Sequence, residues 1–255
     1  MGKKIGIIGY GTIGAYLVGK IKKDADLSLA FVFDTDSGKL SGLDEDLVLS
    51  SIDEARKRKA DLVVEVADAE CVTTMAPFVL QFSDLLVVSV TAFAEQGLME
   101  KLDAVAMRHR TRYYVSHGAI VGLDGVKDGK ELIDEAHITT IRPQEGYGLE
   151  EELKSRTVLY DGPTRGACRR FPKNVNIHAS LALHGLGFDR THSTVIADPE
   201  ATVMEHIIDI RGRGLAWKIE VQGKPLGERT AAYVPVSVFQ TLRRICSEEC
   251  GMTLI

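Results

Sequence analysis

Apolar residues in the first half of the chain come in short, nearly continuous runs rather than in alternation. Ile5, Ile7 and Ile8 lie in the first run, and Leu29 to Phe33, Asp61 to Val66, Leu85 to Val90 and Tyr113 to Val115 follow. Continuous runs of this length mark strands buried on both faces, as in a parallel sheet. Between them the spacing is helical. Ile13, Leu17 and Ile21 follow the first run, Ile52 to Lys59 is short and charged, and Thr73 to Gln81 carries Pro77. Glu95 to Arg108 turns Leu98, Leu102 and Val105 to one face. This alternation predicts an α/β fold, a doubly wound parallel sheet of Rossmann type with right-handed crossovers.

At His117 the pattern changes. Strand-like runs now come closer together, at His137 to Ile141, Thr157 to Tyr160, Ser193 to Ala197, His206 to Arg211 and Leu215 to Val221. Gly212-Arg213-Gly214 separates the last two as a hairpin turn would. Helical stretches at Pro163 to Phe171 and Ile177 to Leu186 interrupt them, which predicts a second, smaller α+β domain on an antiparallel or mixed sheet. Thr230 stands where it would cap a final helix reaching about Cys246, with Val234, Val238, Leu242 and Ile245 on one face. The first sheet needs cover on both sides. The expected division is therefore residues 1–118, then 119–230, with 231–255 packing back on the first domain.

The chemistry starts at the first strand's end. Gly9-Tyr10-Gly11-Thr12-Ile13-Gly14 is a G-x-G-x-x-G placed between strand and helix. Gly9 permits the tight turn, Gly11 a close approach of backbone to a pyrophosphate, and Gly14 close helix–strand packing. The helix that opens there aims free N–H groups and its positive end at the phosphates. Asp34 closes the second strand, twenty residues past Gly14, where an acid meets the adenosine ribose. Asp36 adds charge against a phosphate on that ribose and favours NAD over NADP, although Lys39 stands nearby. Ala67, at the third strand's carboxyl end, lies where ligands sit in open α/β sheets.

Composition narrows the classes. The 255 residues are 45% apolar and 26% charged, and a net charge of -5 speaks against nucleic acid as the main partner. Apolar runs are strand-sized, so no membrane span is expected, and the first strand begins too early for a signal peptide. Cys71, Cys168, Cys246 and Cys250 show no metal spacing, so no metal is expected and the thiols read as free in a reducing cytoplasm.

Two readings compete at each remaining polar residue. Asn176, opening the helix at Ile177, is either its N-cap or an amide facing the cleft. Arg165, Arg169, Arg170 and Lys173 crowd the same region, a solvated cluster or a source of carboxylate ligands. Of the seven histidines, His109 and His137 look structural, His178 and His184 lie on different helix faces, and His192 begins a strand. His117 lies at the domain junction, near the expected nicotinamide. His206 shares a strand face with Ile208 and Ile210, as a hydrogen-bonded core residue or an acid–base group with a tuned pKa.

Several blocks in order resemble the L-aspartate dehydrogenase family: Ser89-Val90-Thr91-Ala92-Phe93-Ala94, Gly118 to Asp124, Phe171-Pro172-Lys173-Asn174-Val175-Asn176, Gly187-Phe188-Asp189-Arg190-Thr191 and Ala197-Asp198-Pro199. The resemblance covers nearly the whole chain. It implies NAD, or NADP, as cofactor, with contacts at Ala119 and Asn176, and a catalytic His206. It further implies L-aspartate or a similar small acid as substrate, a possible link to NAD biosynthesis, and a homodimer. Three positions depart from the family pattern: His117 replaces a serine, Met204 the asparagine of an N-x-H, and Thr91 a glycine. Another small-acid dehydrogenase and a non-catalytic NAD-binding regulator are the alternatives.

Overall fold

The computed structural model describes residues 2–149, 152–226 and 230–247. Its first sheet is wholly parallel. β1 (Lys3–Ile8), β2 (Leu27–Phe33), β3 (Leu62–Glu65), β4 (Asp84–Val87) and β5 (Tyr113–Val115) lie in the order β2-β1-β3-β4-β5. The order reverses between β1 and β3, and the carboxyl ends of that pair are where open α/β sheets hold ligands. α1 (Thr12–Ile21), α2 (Ala69–Val79) and α3 (Leu98–His109) supply the crossovers and the cover. Ile5, Ile7, Leu62, Val64 and Leu86 point to the α1 side, and Val63, Leu85 and Val87 to the side of α2 and α3.

Several boundaries differ from the sequence reading, each for a local reason. The fourth strand stops at Val87 because the chain then turns onto Glu65: the amide of Val88 meets both the carbonyl and the side chain of Glu65 at 3.2 Å, and the amide of Ser89 meets that side chain at 3.0 Å. Val90–Ala94 then forms a wholly buried 3-10 turn. α3 begins at Leu98, after Gly97 takes a φ of 79° that stops the helix from starting earlier. Ile52–Arg58 is a 3-10 helix, and α2 starts at Ala69 because Asp68 caps it through Cys71 N at 2.9 Å.

The second sheet is mixed and runs β10-β9-β6-β8-β7. Its strands are β6 (Ile133–Arg142), β7 (Thr157–Pro163), β8 (His192–Ala197), β9 (Met204–Gly212) and β10 (Leu215–Gly223). Only β6 and β8 pair in parallel. α4 (Leu123–Asp128), which the periodicity does not reveal, joins α5 (Thr164–Arg170) and α6 (Asn176–His184) in this half. Ile138, Ile208 and Ile210 of the sheet pack against Ile177 and Leu181 of α6 and Val126 of α4.

Thr230 does not cap a helix. It pairs with Leu226 in a two-residue ladder of β11 (Pro225–Leu226) and β12 (Thr230–Ala231), where its β-branched side chain is at home. The last helix, α7 (Tyr233–Cys246), follows without a side-chain cap. Its Val238, Phe239 and Leu242 are buried with Ile5, Leu17, Ile21 and Leu62 on the α1 side of the first sheet. Each side chain so buried contributes about 1.5–3 kcal/mol. Residues 248–255 of the expected C-terminal segment lie outside the described residues.

Candidate active site

A cleft of about 360 Å³ lies between the two sheets. Thr12, Ala67, Ser89 and Ser116 line it from the carboxyl ends of the first sheet, and Arg142, Asn176, Ser180 and His206 from the second half. A second pocket of about 270 Å³ holds Gly9, Asp34 and Thr35. Ala67 and Asp68 line both, so the two are adjoining parts of one groove across the β1/β3 switch point.

The glycines fit a dinucleotide. Gly9 has a φ of 98°, and a Cβ there would stand 2.8 Å from the amide nitrogen of Ala67. A Cβ on Gly14 would collide with the carbonyl oxygen of Gly9, so helix and turn touch as closely as expected. Gly11 is different: nothing lies within 4 Å of where its Cβ would be. Open space before the N-terminus of α1 is what a pyrophosphate needs. Thr12 and Ile13 line the cleft, whereas Tyr10 contributes its backbone, its amide donating to Asp34 Oδ2 at 2.7 Å.

Asp34 sits at the groove's far end. Its Oδ1 accepts from the amide of Asp36 at 2.9 Å and pairs with Lys39 Nζ at 3.3 Å. Burial pushes its pKa up, but these donors and the Tyr10 amide outweigh that and hold it below the usual carboxylate value. Asp36 is turned to its own loop, accepting from Gly38 N at 3.1 Å. Lys39 stands beside Asp34.

Glu65, which the sequence pattern presents only as part of a strand, organises the groove's floor. Its carboxylate accepts from the amides of Ala67 at 2.8 Å, Val88 at 3.2 Å and Ser89 at 3.0 Å, and from the Ser89 hydroxyl at 2.7 Å. Burial raises its pKa to about 7, while all four donors favour the ionised form. An acid inside the apolar run Leu62-Val63-Val64-Glu65-Val66 was the signal available for it.

Asn176 is not the N-cap of α6; Val175 holds that position. The Asn176 Oδ1 accepts from the amide of Thr91 at 3.0 Å, which leaves its NH₂ as the group able to serve a ligand. Thr91 also donates its hydroxyl to Pro172 O at 2.6 Å. A glycine at this position could not make that second bond between the halves. Ala119 lies on the cleft wall beside Gly118.

His206 is 8% exposed, on the face of β9 that also buries Ile208 and Ile210. Its Nδ1 meets Thr140 Oγ1 at 2.8 Å, and Thr140 Oγ1 meets His178 Nε2 at 2.6 Å. Burial, and then the charge of Arg142, lower the His206 pKa to about 4, so the ring is neutral at pH 7. Arg142 ends β6, buried within the cleft wall, its guanidinium 5.3 Å from the Tyr147 ring centre. No sequence reading singled it out, although a cation closing an apolar strand just before Pro143 could have flagged it.

The other candidates sort cleanly. Arg165 is committed to Asp189 at 2.7 and 2.8 Å and to the carbonyl of Ala94, Arg170 lies over Phe171, and Arg169 is exposed. Of that cluster only Lys173 lines the cleft. His117 turns away from it, with Nδ1 3.0 Å from Ile120 O and Nε2 facing Ser237 and Arg244 of α7. His184 bonds its own helix at Ser180 O, His109 is exposed, and His137 and His192 lie on the outer face of the second sheet.

Comparison with known proteins agrees with this geometry. Residues 124–245 match the family described as aspartate dehydrogenase, C-terminal, and residues 9–116 the homoserine dehydrogenase NAD-binding domain. The L-aspartate dehydrogenase of Methanosarcina mazei is 33% identical over 95% of this chain and 96% of its own. An aspartate dehydrogenase domain-containing protein of Xenopus tropicalis is 34% identical, covering 92% of this chain and 87% of that one. The crystal structure of aspartate dehydrogenase from Thermotoga maritima shares the fold, with a TM-score of 0.78 over 99% of this chain and 100% of that one at 24% identity.

Proposed function

The chain belongs to the aspartate dehydrogenase family, and on that premise we propose that it oxidises L-aspartate to iminoaspartate, which water converts to oxaloacetate and ammonia. It is an NAD(P)-dependent oxidoreductase acting on CH–NH₂ groups. The bound nicotinamide supplies the acceptor for the hydride that leaves Cα. The observation that carries the reading is the meeting of a neutral imidazole, His206, and a buried cation, Arg142, in the cleft that joins the dinucleotide groove.

Each residue then has a task. Arg142 binds a substrate carboxylate, with Lys173 at the rim as a second cation. A carboxylate against Arg142 offsets the charge that depresses His206, so the imidazole gains proton affinity as the substrate arrives. His206 takes the proton from the ammonium, or from the water that attacks the imine carbon. The NH₂ of Asn176 and the hydroxyls of Ser89 and Ser116 hold the nicotinamide end. Among the dinucleotides NAD is preferred, with Gly9 to Gly14, Asp34 and Ala67 as its contacts.

NAD reduction with L-aspartate tests the reading, beside an NAD titration of His206→Ala. Turnover with aspartate is expected, and His206→Ala should lower kcat by about 10²–10⁴ while NAD affinity stays within a few-fold. A mutant that keeps its turnover and loses only melting temperature would remove His206 from the mechanism. One observation favours a second reading: Met204, buried in the cleft wall near His206, gives an apolar surface where the resemblance implies an amide. Turnover faster with a less polar L-amino acid than with aspartate would select it.

Wider context follows from the same family reading. We propose a cytoplasmic homodimer whose unstable imine is taken up by NAD biosynthesis; sedimentation at working concentration tests the dimer. No helix among the described residues is long and apolar enough to cross a membrane.

A further inference from the structure

Behind His206 runs a single file of hydrogen bonds that crosses the inner face of the second sheet. From His206 on β9 it passes to Thr140 on β6, His178 on α6, Ser193 on β8 and Thr164 on α5, and it stops at the carbonyl of Thr191. Thr140, His178, Ser193, Thr164 and Thr191 are all at most 1% exposed. Water therefore has no access to this file, and each member must satisfy its neighbour.

The far end sets the direction of every bond. A carbonyl only accepts, so Thr164 donates its hydroxyl proton to Thr191 O at 3.0 Å. With that proton committed, Thr164 Oγ1 accepts from Ser193 at 2.7 Å, and Ser193 in turn accepts from His178 Nδ1–H at 2.9 Å. Burial holds His178 neutral, its pKa far below the usual value, so its Nε2 keeps a lone pair. That lone pair accepts from Thr140 Oγ1–H at 2.6 Å. Thr140 can then only accept, and the donor is His206 Nδ1–H at 2.8 Å. Reversing the order would set the Thr164 oxygen lone pairs against the Thr191 carbonyl and leave that oxygen without a hydroxyl donor.

We propose that this file, anchored at the Thr191 carbonyl, holds His206 in the Nδ1–H tautomer, with Thr140, His178, Ser193 and Thr164 as positioning residues that keep a lone pair on Nε2. The proposal rests on the reading of His206 as the base. It explains why an imidazole buried in an apolar face is ready to accept a proton, since the nitrogen away from Thr140 is the unprotonated one. Free histidine prefers the opposite tautomer, so the file works against intrinsic chemistry. The file is also closed at its far end. A proton accepted at Nε2 cannot leave through Thr164, because the next atom is a carbonyl oxygen, and it must return through the cleft. The charged and titratable groups around the file are Arg142, which faces His206, and His137, which faces His178 from the outer side.

Long-range proton–nitrogen NMR on the whole protein labelled with ring-¹⁵N histidine tests this, with the His206 signals assigned by their loss in His206→Ala. At pH 7.5 the expected spectrum shows a protonated Nδ1 and an unprotonated Nε2; a protonated Nε2 would overturn the proposal. Thr140→Val should give mixed tautomers and a kcat at least about 10-fold lower at unchanged NAD affinity, and Thr140→Ser should restore both. A folded Thr140→Val with the original tautomer and kcat would also overturn it, and if that variant does not fold the wild-type spectrum decides. The spectrum needs no substrate. The expected tautomer in a protein that does not turn over aspartate would reject the functional reading alone, and turnover with the opposite tautomer would reject only the file.

Discussion

Glu65 holds the end of β4 to the end of β3, accepting from the amide of Ser89 at 3.0 Å and from its hydroxyl at 2.7 Å. Glu65→Ala leaves the buried amide and hydroxyl of Ser89 without this acceptor, and takes it from the amide of Ala67 as well. The expected loss is about 3 kcal/mol or more, since each stranded donor costs roughly 1–3 kcal/mol. Because Ala67 lines both pockets and Ser89 lines the cleft, NAD affinity should also fall, by about tenfold. Urea unfolding and a cofactor titration on one preparation check both. Stability within 1 kcal/mol of wild type, on the scale of an ordinary surface change, would contradict this role.

Two buried groups of opposite sense set the pH dependence of stability. Glu65 is raised from 4.5 to about 7, so between those values the native state holds more protons than the unfolded chain and stability falls as pH rises. His206 is lowered from 6.5 to about 4, so over that window the native state holds fewer protons and stability rises with pH. Each effect is worth roughly 3 kcal/mol across its window, and between pH 4.5 and 6.5 they largely offset. His178, also held neutral by burial, adds to the rising side. Glu65→Gln should therefore steepen the rise of the denaturation midpoint between pH 4.5 and 6.5, and His206→Gln should flatten or reverse it. Identical slopes in the two variants would count against both assignments.

Cofactor choice turns on Asp34 and Lys39. Asp34→Ala removes the proposed ribose acceptor and releases Lys39 from its 3.3 Å pairing, free to meet a phosphate. NAD should bind about tenfold more weakly while NADP changes less or improves. Paired titrations decide it, and equal losses for both cofactors would show that Asp34 matters only to its loop.

Arg142→Met should raise the KM for aspartate by about 10–100-fold, the worth of a hydrogen bond to a charged group. Removing that charge also raises the proton affinity of His206, so the acid limb of kcat/KM should move to higher pH. Arg165→Met, whose partners are Asp189 and Ala94, should leave KM nearly unchanged.

The groove was legible because its determinants are local. Three glycines at fixed spacing and an acid after the second strand state their geometry within one strand–turn–helix unit, and Gly9, Gly14 and Asp34 stand where that unit requires. The cleft was legible only in part. His206 stood out as a polar residue on an apolar strand face, but Arg142 and Thr140 of β6, and His178 of α6 behind Thr140, come to it from 28 to 66 residues away along the chain. No periodicity encodes such meetings. Asn176 carried a plausible capping role that its bond to Thr91 displaces, and Glu65 was hidden by the regularity of its own strand.

The return of α7 to the first sheet has a consequence for how the protein is made. A ribosome releases the dinucleotide-binding strands first, and α1 can cover part of one face as soon as it emerges. Val238, Phe239 and Leu242, which complete that cover, arrive only after the whole second sheet has been synthesised. Until then the strand face carrying Leu62, Val64 and Leu86 stays partly bare, a surface for chaperones or for aggregation. The nascent first domain cannot complete the α1 side of its core by itself, so its maturation waits on a helix made after the whole second sheet.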